Sequence, residues 1–78
     1  MAVSYNRLWK LLVDKKMSKA DLRRAAGLVP NTMTELRQDE PVAMVVLEKI
    51  CATLGTDFGD IMKYVKEQEN VRFIGREN

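Results

Sequence analysis

The run from Asn31 to Gln38 carries two amides, two hydroxyls, one carboxylate and one guanidinium around only two apolar residues, Met33 and Leu36. Such groups donate and accept hydrogen bonds, and amides and hydroxyls of this kind are able to read base edges in a major groove. The materials for catalysis are scarce by comparison. The 78 residues include no His and a single Cys, which rules out a His-based triad or dyad, a disulfide framework and a zinc site. Carboxylates and lysines alone can still do chemistry, but nothing in the sequence pairs them. The expectation is a protein that is not an enzyme and needs no metal or cofactor.

The elements that must hold this polar run are readable on either side of it. Pro30 suits a first helical position, where its missing N–H costs nothing, and predicts a third helix over 30–38. Two anchors three residues apart leave most of that helix's circumference facing outward. Upstream, Ser18 is a good N-cap and Asp21 a short stand-in for the Glu of a capping box, predicting a second helix over 19–26. That helix should bury Leu22, Ala25 and Ala26 and expose Lys19, Arg23 and Arg24. Gly27 ends it, because a left-handed residue is cheapest as Gly, and Leu28 should be buried in the turn.

Before this unit, Leu8, Leu11, Leu12 and Val13 recur at helical spacing and predict a first helix from Asn6 to near Lys16. Trp9 flanks its apolar stripe and is expected to pack at the edge of the core or cover a helix end, and Met17 to be a buried connector. Ala2 to Tyr5 reads as either an extended arm or a brief strand. After the polar run, 39–41 breaks the pattern. A fourth helix is expected over 42–54, with Ala43, Val46, Leu47, Ile50, Cys51 and Leu54 on its apolar face and Gly55 stopping it. Asp57 should cap a fifth helix, 58–66, whose apolar members are Phe58, Ile61, Met62 and Val65. The segment 71–74 reads as a short strand.

The size implies one domain, with a core over 5–66 and a tail over 67–78, small enough that nearly every apolar residue able to be buried is needed. No apolar run approaches the roughly 20 residues of a membrane span, so the expected protein is soluble and cytoplasmic, without a membrane partner. Net charge is only +2, but it is lopsided. Residues 1–38 carry eight Lys/Arg against Asp14, Asp21 and Glu35, a net +5, and residues 39–78 carry five against eight acids, a net −3. The basic half holds the two-helix unit, and a lopsided domain can turn a positive face to phosphate.

The stretch DLRRAAGLVPNTMTEL, followed by LEKICATLGTDFGDIM and preceded by YNRLWKLLVDKKM, resembles the lambda-repressor-like, Cro/CI-type helix-turn-helix regulators, particularly the small stand-alone ones. The resemblance covers about residues 5–65. Its apolar positions match Leu22, Ala26, Leu28, Met33 and Leu36, and its turn glycine matches Gly27. It implies an all-α, five-helix fold with a central helix-turn-helix, and sequence-specific binding to double-stranded DNA by a small transcriptional regulator. It further implies base contacts from Asn31, Thr34, Glu35 and Gln38 and backbone contacts from Lys19, Arg23, Pro30 and Thr32. Arg24, Lys15 and Lys16 are weaker phosphate candidates. Where many relatives pair an Arg of the first helix with a Glu of the third, this chain has Leu12 and Arg37.

One short reading helix spans few base pairs, so a homodimer on two half-sites is expected, with the fifth helix (Phe58, Met62, Tyr64) or the terminal segments as its surface. The terminal segments pair within the monomer or across subunits, or only cover the bottom of the core. The alternative function is a protein-interaction module, such as an antitoxin or adaptor, that uses the same fold to hold a protein partner.

Overall fold

The protein is described here by a computed structural model covering residues 3–65. In chain order the elements are strand β1 (Val3–Ser4), helices α1 (Asn6–Asp14), α2 (Lys19–Ala26), α3 (Pro30–Arg37) and α4 (Met44–Leu54), a 3-10 turn over Phe58–Asp60, and strand β2 (Lys63–Tyr64). The fold is thus mostly helical, with one short antiparallel pair in which Val3 faces Tyr64 and Ser4 faces Lys63.

One backbone device ends every helix. Lys16, Gly27, Asp39 and Gly55 all take left-handed φ between 57° and 70°. The residue after each donates its N–H back to a carbonyl five positions earlier: Met17 to Leu12, Leu28 to Arg23, Glu40 to Glu35 and Thr56 to Cys51. This closure satisfies carbonyls that a helix end would otherwise leave open. It also shortens the first helix, which stops at Asp14 and not near Lys16.

The core gathers Leu8 and Leu12 of α1, Leu22 and Ala26 of α2, Leu28 of the turn, Met33 and Leu36 of α3, Leu47, Ile50 and Leu54 of α4, and Ile61. Trp9, Leu11, Met17, Val42, Val46 and Cys51 pack around it, half-buried. Three expectations about the core need correcting. Val13 is 74% exposed, because one residue beyond Leu12 rotates it by about 100° off the core face. Ala25 and Ala43 are exposed as well, Ala43 because α4 begins only at Met44, with Ala43 as its N-cap.

The expected fifth helix is a single 3-10 turn. Asp57 and Asp60 close it with reciprocal cap bonds. The Arg7 guanidinium donates to the Gly59 carbonyl at 2.8 Å, and a continuing α-helix would need that carbonyl for the Lys63 N–H. The chain instead extends into β2, with Ile61 buried and Tyr64 71% exposed. The strand expected over 71–74 and the tail lie outside the described residues; within them, β1 pairs with Lys63–Tyr64.

Tyr5 is the member of the core that the sequence pattern places in an extended arm or brief strand. It is buried, its N–H donates to Asp39 Oδ1 at 3.0 Å, and its hydroxyl donates to the Glu40 carbonyl at 2.9 Å. The start of α1 is thereby tied to the exit of α3. Burial pushes the Tyr5 phenol above the ordinary tyrosine range, and the Asp39 carboxylate adds to the shift. A group that holds its proton more firmly when folded contributes its stability below the unfolded value and loses it as pH rises through the folded one. Tyr5→Phe is expected to cost about 0.5–1.5 kcal/mol near neutral pH for the lost hydrogen bond. The variant should also lose part of the stability decline that begins above about pH 10, measured by urea unfolding across an alkaline pH series.

Candidate nucleic-acid interface

Two helices build the site. Helix α2 starts at a complete capping box, in which Ser18 Oγ accepts from the Asp21 N–H and Asp21 Oδ2 accepts from the Ser18 N–H, both at 3.0 Å. Hydrogen bonding from the Ser18 backbone N–H, and then from its hydroxyl, holds the Asp21 carboxyl below its ordinary range, and Arg24 contributes a smaller part. Arg24 is itself committed to Asp21, at 2.7 Å. The first turn of α2 therefore presents Lys19, and the next turn presents Arg23, on a helix whose N-terminal N–H groups favour anions. Lys19 Nζ lies 4.5 Å from the centroid of the Trp9 ring, a cation–π contact that joins this end of α2 to α1 and that is worth about 0.5–1 kcal/mol at an exposed site.

Helix α3 follows without a side-chain cap: Val29 occupies the N-cap position and Pro30 the first turn. Asn31, Thr34, Glu35 and Gln38 fall at intervals of three and four and so share one face. Asn31 and Gln38 are exposed, and Thr34 and Glu35 are half-buried. Thr32 is half-buried and stands apart from the groove between the helices. That groove, about 240 Å³, is lined by Lys19, Ala20 and Arg23 of α2 and by Pro30, Met33, Thr34 and Arg37 of α3.

The structure thus brings Lys19, Arg23, Pro30 and Thr34 together around the groove and leaves exposed Asn31 and Gln38 and half-buried Glu35 outside its lining. It adds Arg37, which the sequence reading did not place among the contacts. Arg37 Nη2 donates to Thr34 Oγ1 at 3.2 Å, and that hydroxyl donates in turn to the Pro30 carbonyl at 3.3 Å. The three-residue spacing of Thr34 and Arg37 was the available signal. Leu12 sits in the core at 2% exposure, so at the positions where many relatives pair an Arg with a Glu this chain has a buried leucine and an exposed arginine that bonds to Thr34.

Cys51 is half-buried on α4, and burial raises its thiol pKa, which favours the protonated form. Among the described residues no group of three His, Cys, Asp or Glu side chains is placed to hold a metal, and no helix is long and apolar enough to cross a membrane.

This geometry, two short helices hinged at a left-handed glycine, agrees with a family match over residues 7–67 to the Cro/C1-type HTH DNA-binding domain. The chain belongs to that family. The chain is also similar to the crystal structure of the transcriptional regulator VanUg, with 47% identity, a TM-score of 0.82, and coverage of 85% of this chain and 88% of that one. No curated protein matches the sequence.

The hinge of this Cro/C1-type domain can be tested directly. A Cβ at Gly27 would meet nothing within 4 Å, yet φ is +70°. Gly27→Ala should therefore destabilise by about 1–2 kcal/mol through backbone strain alone. Gly27→Asn should recover part of that loss, since Asn tolerates the left-handed region; urea unfolding of both variants measures the difference.

Proposed function

We propose that this chain binds double-stranded DNA sequence-specifically as a small transcriptional regulator, with α3 in the major groove and two copies acting on paired half-sites. The observation that carries the reading is the polar face of α3 beside a groove ringed by Lys19, Arg23 and Arg37. Membership of a DNA-binding family and similarity to a transcriptional regulator support it. In this arrangement Asn31 and Gln38 address adenine and Glu35 accepts from a cytosine amino group, with Thr34 beside them. Lys19 and Arg23 meet phosphates, while Pro30 and Thr32 lie against the sugar-phosphate chain. The second copy is read onto the surface of Phe58, Met62 and Tyr64, where Phe58 of the 3-10 turn and Tyr64 of β2 leave apolar area exposed.

Selection from a random duplex library, followed by salt titration of the best site, tests the reading. The expected outcome is a two-fold symmetric motif with half-sites about 34 Å apart and a steep loss of affinity with salt. Lys19→Ala should weaken binding to all duplexes alike and make the salt slope shallower by about 1. Gln38→Ala should relax preference at one base pair per half-site, by about 1–3 kcal/mol. Absence of any salt-dependent duplex binding would overturn the proposal.

A further inference from the structure

We infer that Lys19, Arg23 and Arg37 together form a seat for one phosphate group between α2 and α3, and that Thr34 is a positioning residue for Arg37 and not a base reader. The inference deepens the DNA-binding reading, on which it rests for the source of the phosphate. The groove has three cationic side chains from two helices in its wall and no carboxylate. Asp21, the acid of α2, is occupied by the Ser18 cap and by Arg24. Like charges gathered around one concavity repel one another, and an anion seated between them reverses that cost. Lys19 adds its charge at the first turn of an eight-residue helix, where backbone donors already favour phosphate.

Thr34 decides how Arg37 enters this seat. A hydroxyl has one proton, and Thr34 gives it to the Pro30 carbonyl at 3.3 Å while accepting from Arg37 Nη2 at 3.2 Å. Its donor is therefore spent inside the helix, and its lone pair steers the guanidinium. One guanidinium N–H is used in this way, and the remaining donors of the fork suit a phosphate taken bidentately.

The groove also has a built-in reporter. Trp9 is the only tryptophan, and Lys19 lies 4.5 Å above its ring, so an anion that draws the ammonium away changes the indole's surroundings. The experiment compares the full chain with Arg37→Ala, Arg37→Lys and Thr34→Val in two arms. One arm is duplex binding across a salt series; the other is titration with inorganic phosphate at constant ionic strength, read by Trp9 fluorescence.

Arg37→Ala should weaken every duplex several-fold by the same factor and make the salt slope shallower by about 1. Arg37→Lys should keep the slope while losing part of the affinity. Thr34→Val should weaken binding with the base preference unchanged. A duplex effect without a phosphate response assigns the seat to the DNA backbone. A saturable fluorescence response to phosphate that Arg37→Ala abolishes, with no duplex bound, keeps the seat as a site for a small phosphate and removes the DNA reading. An unchanged slope in Arg37→Ala, or an altered base preference in Thr34→Val, overturns the inference even if the duplex binds tightly.

Discussion

Helix α3 buries only Met33 and Leu36, and the rest of the structure is arranged to compensate for that shortage. Two core contacts fix an axis poorly, since the helix can still tilt about the line joining them. Its ends must be held from outside. At the start, the Gly27 turn closes onto Arg23 and sinks Leu28 into the core, which sets where Val29 and Pro30 begin. At the end, Asp39 and Glu40 are held by the backbone and hydroxyl of Tyr5, a residue 34 positions away along the chain from Asp39. A helix gripped at both ends can afford a polar circumference, and that circumference is what makes it useful.

Charge follows the same division of labour. Two carboxylates beside the site are tied into structural roles, Asp21 closing the α2 cap and Asp39 receiving the Tyr5 N–H, while Glu35 stays on the polar face of α3. Lys19, Arg23 and Arg37 are left to face the groove. At the positions where many relatives pair an Arg with a Glu, Leu12 packs in the core and Arg37 carries a positive charge at the surface.

What could be read from sequence was the chemistry of residues acting on their immediate neighbours. Ser18 with Asp21, Gly27, Pro30 and Gly55 announce their roles locally, and the boundaries of α2 follow from them. Lys16 and Asp39 perform the same left-handed exit as the glycines, but Lys rarely adopts it and Asp does so only occasionally, so residue type alone does not mark either position. The expected fifth helix does not form, for a related reason. Ile61, Met62 and Val65 fit a helical period, and only Arg7, 52 residues away, and pairing with Val3–Ser4 divert the chain from it. In the site, the face shared by Asn31, Thr34, Glu35 and Gln38 follows from helical spacing alone. The link from Arg37 through Thr34 to the Pro30 carbonyl depends on rotamers, which spacing does not specify.

The repeated left-handed exits have a kinetic consequence. Each closes through a bond spanning five residues, so the point at which each of these four helices stops is encoded beside it in the chain. The four helices dock on one another to form the core, and the Tyr5 to Asp39 bond is one of the links that this docking must find at long range. A chain whose contacts are mostly local in this way falls in the low contact-order regime, where folding is completed in microseconds to milliseconds, on the order of other small helical domains.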